Sequence, residues 1–139
     1  QKTQSGAVHL ANAFQMTNIL RAIKEDSERG RCYFPITELS VYSLEPQDWS
    51  DSNQMIAQRD RLLGYLNFFI DRTHYFYQAA WETFPDKFMV QLKPAKLMSD
   101  YYWGILKKIE RSPMVVLNKR VQLGRFKKLQ LLLSAYLQK

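Results

Sequence analysis

The sequence predicts an all-α chain. Three observations carry that reading. Apolar residues recur at three- and four-residue intervals through several long stretches, no segment alternates apolar and polar residues as a strand would, and Gly30, Pro35, Pro85 and Pro113 punctuate the stretches. The 139 residues suffice for one domain with a core, and 46% of them are apolar.

The elements follow in order. Ser5 and Gly6 start a helix whose body is Ala7 to Glu28, with Val8, Ala11, Ile19 and Ile23 at helical spacing. Gly30 is the expected stop, in the left-handed conformation where a side chain would strain the backbone. From Pro35 to Ser52 a long polar loop is expected, in which Ile36, Leu39, Val41, Tyr42 and Leu44 either anchor the loop or form one short helical turn. A second long helix fits Asn53 to about Phe84, with Ile56, Leu63, Leu66, Ile70, Phe76, Ala80 and Phe84 as its apolar positions. A third helical pattern runs from Asp86 to Arg111, with Pro94 as a kink or as a break between two shorter helices. The state of Met114 to Leu123 is left open, and Arg125 to Gln138 forms a last helix with Leu129, Leu132, Leu133 and Tyr136 on one side.

Composition narrows the chemistry. Cys32 is the single cysteine, so neither an intrachain disulfide framework nor a cysteine-based metal site is implied, and a packed thiol is expected there. No apolar run reaches membrane-spanning length, and the start shows no signal-peptide pattern. The chain opens on Gln1, which suggests a processed or partial product. No glycine-rich phosphate loop or nucleophile elbow occurs. His9 and His74 read as helix-face residues, and Trp49, Trp81 and Trp103 as core or cavity wall. Charge is uneven: residues 1–92 hold nine basic and eleven acidic residues, net −2, whereas residues 93–139 hold eleven and two, net +9. Such a field attracts phosphates, nucleic acid or acidic lipid headgroups, although a solvated basic helix face accounts for it equally well. The tail GRFKKLQLLLSAYLQK is amphipathic, and peripheral contact with a membrane is an expectation. No nucleic-acid partner is expected.

The first helix carries the most specific pattern. Gln15, Asn18, Ala22 and Asp26 are spaced by three, four and four residues and share one stripe. Three of them bear oxygen donors, which suit a hard dication such as magnesium bridging to phosphates. Arg29, Arg31 and Tyr33 follow past the helix end, and guanidinium groups grip phosphate oxygens in pairs. Spacing alone also fits an ordinary solvated helix end.

The segment FQMTNILRAIKEDSERGRCYFP resembles the second aspartate-rich motif of the squalene/phytoene synthase family, roughly Q-x-T-N-I-L-R-D-x-x-E-D-x-x-x-G-R-x-Y-x-P. DYYWGILKKIE and NKRVQLGRFKKL are similar to the family's Y-x-x-I-L-x-x-I-E helix and R-V-x-L-x-x-x-x-K-L ending, so the resemblance covers nearly the whole chain. It implies part of an isoprenoid (terpenoid) synthase-type helical bundle, the carboxy-terminal portion of that domain over residues 1–139. The family's first aspartate-rich motif has no counterpart here, and a separate chain carrying the amino-terminal portion is one conceivable partner.

The implied activity is head-to-head condensation of two prenyl diphosphates, farnesyl or geranylgeranyl, to a squalene- or phytoene-type product. Magnesium is the implied cofactor, with NADPH for a squalene-type product. By the resemblance, Asn18 and Asp26 hold magnesium. Gln15, Arg31, Tyr33 and Arg120 contact diphosphate, and Tyr102, Arg31 and Tyr33 are the catalytic candidates. Tyr33 and Tyr102 also read as plain core tyrosines, and Arg120 as a surface cation. The departure is Ala22, where the family carries the first aspartate of the pair. Either Glu25 or water compensates, or the chain is a non-catalytic relative acting as a binding or assembly protein, as among mitochondrial assembly factors of this fold. Replacing aspartate by alanine is also a common way to silence a metal site. The implied location is cytoplasmic or peripheral to a membrane, and mitochondrial for a non-catalytic relative.

Overall fold

A computed structural model describes residues 2–137. Among them lie seven α-helices and no strand: α1 (Lys2–Arg21), α2 (Ile23–Glu28), α3 (Ile36–Val41), α4 (Ser52–Ala57), α5 (Arg59–Thr83), α6 (Lys93–Arg111) and α7 (Arg125–Leu137). Three 3-10 turns, Pro46–Trp49, Asp86–Phe88 and Pro113–Leu117, join them. The all-α expectation holds, and the helices are consistent with the partial isoprenoid synthase-type bundle that the resemblance implies.

The long helices α1, α5 and α6 form the body. α1 lies mainly along α5, with α6 against its other flank. Leu10, Ala13, Thr17 and Leu20 of α1 are buried against Leu62, Leu66, Ile70 and Tyr77 of α5 and Ile105 and Ile109 of α6. The spacing of these residues, three or four apart, is what lets one face of each helix enter a shared core. Val8 and Ala11 are exposed, so the buried stripe of α1 is rotated from the one the sequence suggested. Ile56 is likewise exposed.

The expected helix boundaries shift in three places. The first helix is interrupted at Ala22, whose φ of −105° and ψ of 6° leave the helical region. Alanine has the highest helix propensity, so the break is not a local preference. The Val121 N–H donates to the Arg21 carbonyl at 3.1 Å, at the residue where α1 ends. The second helix is interrupted at Gln58, and its amino-terminal piece is capped by Asp51, whose carboxylate accepts from the Asn53 and Gln54 N–H groups at 2.8 and 3.0 Å. Pro94 falls in the first turn of α6, where its missing N–H costs no helical bond. Neither reading of Pro94 holds: only a 3-10 turn, Asp86–Phe88, precedes it, and the helix begins at Lys93 rather than at Asp86.

The segment from Pro35 to Ser52 is more ordered than a polar loop. It forms α3 and a 3-10 turn and buries Leu39, Leu44 and Trp49. Phe34, Trp49, Tyr65 and Phe69 pack edge-on or tilted, with ring centroids 4.8 to 5.0 Å from Phe34. Residues 113–123 pass through a 3-10 turn and then return across α6. The return packs closely at Gly104, where a β-carbon would lie 3.0 Å from a Leu123 methyl. The last helix reaches Leu137, and Gln138 lies outside the described residues.

Candidate functional site

The end of α1, one face of α2 and the returning segment line an open groove of about 500 Å³. Gln15, Asn18, Ala22, Glu25, Asp26 and Arg29 form its helical wall, and Arg21, Tyr33 and Arg120 complete it. The stripe read from the sequence therefore survives the break at Ala22. Across the break the Asp26 N–H donates to the Ala22 carbonyl at 2.9 Å, a helix-like bond that keeps Asp26 one turn beyond Ala22.

The carboxy-terminal end of α2 is held by a Schellman arrangement. The Arg31 N–H donates to the Asp26 carbonyl at 2.8 Å and the Gly30 N–H to the Ser27 carbonyl at 3.0 Å. Gly30 has φ of +69°, as the stop signal requires. This turn sends the chain back so that Tyr33, largely exposed, lies at the groove while Arg31 turns away from it. Arg31 lines a narrow crevice with Asp26, Cys32 and Trp49. Burial pushes the Cys32 thiol up, against the smaller opposing effect of the Phe34 N–H, which fits a packed thiol rather than a reactive one.

Arg120 arrives from the far end of the chain. Its Nη1 donates to Glu25 Oε2 at 2.8 Å, closing one side of the groove. Its side chain is 32% exposed and that of Glu25 40%, so the pair is worth about 0.2–1 kcal/mol and is easily parted. Tyr102 stands one layer back. Its ring stacks on Phe14 with centroids 4.9 Å apart, and the Arg21 guanidinium lies over it at 5.4 Å. Tyr102 thus reaches the groove through Arg21, whose Nε is buried without a hydrogen-bond partner.

Sequence reasoning did not single out Arg21. It weighed Glu25 only as a substitute for the missing aspartate. Glu25 follows Asn18 by seven residues and Ala22 by three, so the helical spacing already placed it on the stripe. Arg21 was marked only as the arginine of the family motif, with no role attached; it lines the groove with its guanidinium over the Tyr102 ring of α6. The two histidines lie elsewhere: His74 bonds Glu110 at 3.1 Å, and His9 packs on Phe76.

Three guanidiniums and two carboxylates share this groove, a balance that favours an anion. The donor set also fits a hard dication in kind. Asn18, Gln15, Glu25 and Asp26 offer oxygen alone. Ala22 takes one carboxylate out of the stripe, and no group of three or more His, Cys, Asp or Glu residues suited to a metal gathers among the described residues. A dication here would rely on Asn18 and Asp26, with Glu25 only if it leaves Arg120.

Comparison with known proteins agrees with the motif. The family model described as Squalene/phytoene synthase matches residues 1–127. The chain is 33% identical over 134 residues to a 15-cis-phytoene synthase of Synechocystis sp., covering 96% of this chain and 39% of that protein. It is 34% identical to a phytoene synthase of Arthrospira platensis, covering 94% and 41%, and 33% identical to the chloroplastic phytoene synthase 3 of Zea mays, covering 95% and 30%. The chain thus spans less than half the length of these curated relatives. No solved structure matches it.

Proposed function

The chain belongs to the squalene/phytoene synthase family, and on that premise we propose that its groove binds the diphosphate of a prenyl diphosphate together with magnesium. The reading extends to a carboxy-terminal portion of a head-to-head prenyltransferase, with a phytoene-type product favoured by the names of its relatives. A squalene-type product would additionally use NADPH as hydride donor. One observation carries the reading: Arg120, from the far end of the chain, meets Asn18, Asp26, Arg29 and Tyr33 of the first helical stretch and its turn in one groove.

The residues divide the work by charge. Arg21, Arg29 and Arg120 present permanent positive charge to phosphate oxygens, and the Tyr33 hydroxyl can donate a further hydrogen bond. Asn18 and Asp26 would hold the dication, with Gln15 one turn earlier. Magnesium, when bound, neutralises charge on the departing diphosphate. Tyr102 is a positioning residue, since its ring supports the Arg21 guanidinium rather than facing the groove. Arg31 is farther from the groove than the sequence suggested, and its backbone role in the Schellman turn orients Tyr33. The bond that breaks in the proposed step is the allylic carbon–oxygen bond, and its electron pair leaves with the diphosphate oxygen that these donors stabilise.

Two observations favour a second reading, a non-catalytic binding or assembly relative: Ala22 stands in the stripe, and Glu25 is engaged by Arg120. Localisation follows the reading chosen. The relatives include a chloroplastic enzyme, and no helix among the described residues is long and apolar enough to cross a membrane. Peripheral membrane contact is supported by the exposed apolar face of α7.

Calorimetric titration with inorganic pyrophosphate, with and without magnesium, tests the groove. The expected result is binding that requires magnesium and tightens several-fold in Ala22→Asp. Absence of binding in both proteins, or binding indifferent to magnesium, would remove the proposal. Incubation with farnesyl or geranylgeranyl diphosphate then separates an enzyme from a non-catalytic relative, since only the former releases pyrophosphate.

A further inference from the structure

We propose that Glu25 and Arg120 form an exchangeable ion pair: without ligand the two charges neutralise each other, and on loading the pair parts so that Glu25 supplies the carboxylate missing at Ala22. This rests on the reading of the groove as a magnesium–diphosphate site.

Two ion pairs in the molecule use the same chemical groups and are built differently. Arg72 grips Glu38 with two hydrogen bonds, 2.7 and 2.9 Å, and the Tyr65 hydroxyl adds a third at 3.0 Å. The Arg72 guanidinium also lies 5.0 Å from the Phe68 and Phe69 ring centroids. That pair is also partly exposed, but three hydrogen bonds and two aromatic rings hold it, and it ties α3 to α5. Arg120 and Glu25 share one hydrogen bond, Nη1 to Oε2, at the edge of an open groove. A single bond between two partly exposed side chains leaves both free to turn without moving the backbone.

The backbones are already fixed. Val121 is anchored to Arg21 by its N–H, so Arg120 is held at the groove whatever its side chain does. Glu25 sits in α2, three residues beyond Ala22 and one before Asp26. It is the carboxylate whose helical position best covers the gap that Ala22 leaves. Charge favours the exchange. A dication attracts Glu25 more strongly than one guanidinium does, and a diphosphate attracts Arg120 more strongly than one carboxylate does. Each partner's new contact thus releases the other.

The exchange has a signature that a merely structural pair lacks. In Arg120→Gln, Glu25 is freed, so manganese alone, titrated as a magnesium surrogate and read by its electron paramagnetic resonance, binds several-fold tighter. The same variant binds magnesium–pyrophosphate several-fold more weakly, because a phosphate contact is gone. Glu25→Gln weakens magnesium-dependent pyrophosphate binding about ten-fold, and adding Ala22→Asp to it restores the binding. Circular dichroism melts identify variants that remain folded. If manganese and pyrophosphate affinities fall together in Arg120→Gln, or Glu25→Gln binds as the parent does, the exchange is wrong. Should Asp26→Asn still abolish binding in that case, the groove reading stands without it. If the parent chain and Ala22→Asp both fail to bind, the groove reading falls and the exchange with it.

Discussion

The hydroxyls of Thr17 and Tyr77 meet at 2.9 Å in the core between α1 and α5, sixty residues apart in sequence. Thr17 Oγ1 also donates to the Ala13 carbonyl at 2.8 Å, so its proton is already used and Tyr77 is the donor between the two. Burial pushes the Tyr77 hydroxyl well above its ordinary pKa, which keeps it a neutral donor. The two deletions should therefore differ. Thr17→Val strands a buried donor and should lower stability by about 1–3 kcal/mol, whereas Tyr77→Phe removes one bond and strands no donor, costing about 0.5–1.5 kcal/mol. Urea unfolding of both variants checks the order, and equal losses would show that the bond is shared differently.

The Glu38–Arg72 pair makes stability depend on pH. The two Arg72 hydrogen bonds hold the Glu38 carboxyl below its ordinary value, with Tyr65 assisting against the opposing effect of burial. A carboxyl with a lowered folded-state pKa stabilises the fold fully above the unfolded value, about 4.3, and loses that contribution as pH falls through the folded value. Glu38→Gln should be less stable than the parent near pH 7 and should lose less on going to pH 3. Glu110, held low by Lys107, keeps part of the acid sensitivity in the variant. Unfolding curves across that range would contradict the assignment if the two proteins lost stability in parallel.

Gly30 offers a test of the turn that orients Tyr33. Nothing lies within 4 Å of a β-carbon built on Gly30, so a substitution there meets backbone strain alone. Gly30→Ala should cost about 1–2 kcal/mol, and Gly30→Asn less, because asparagine tolerates the left-handed region. Thermal melts measure the difference. A larger loss with asparagine would mean that something other than φ controls the position.

α7 presents Phe126, Leu129, Leu132, Leu133 and Leu137 to solvent, while Leu131 packs toward the core and Lys128 lies over the Tyr101 ring at 5.9 Å. Residues 111–139 contain seven basic residues and no acidic one. An exposed apolar face within a basic segment suits an anionic bilayer surface. The chain should sediment with phosphatidylglycerol vesicles and not with phosphatidylcholine vesicles. Leu129→Asp combined with Leu133→Asp should reduce the bound fraction several-fold, and raised salt should reduce it as well. Equal sedimentation with both lipids, or with neither, would dismiss the surface.

Much of the candidate site was legible before any coordinates. The oxygen-bearing stripe of Gln15, Asn18 and Asp26 and the stop at Gly30 depend on helical period and on the sterics of one residue. Both are local, so a window of a few residues contains them. The end of α6 at Arg111 and the helical nature of α5 were readable on the same ground, whereas the start of α6 at Lys93 was not. The break at Ala22 was not, because alanine favours continuing the helix and the interruption coincides with a bond to Val121, a hundred positions on.

The sequence alone determined that the chain is helical, that it carries the squalene/phytoene synthase motif, and that one helix face gathers oxygen donors. Tertiary structure decided which charges meet there. It set Arg120 against Glu25, laid Arg21 on Tyr102, moved Arg31 out of the groove and left the apolar face of α7 in solvent. The reason is one of range: backbone period and turn sterics act between neighbours along the chain, whereas ion pairs and ring contacts form between side chains that only packing brings together.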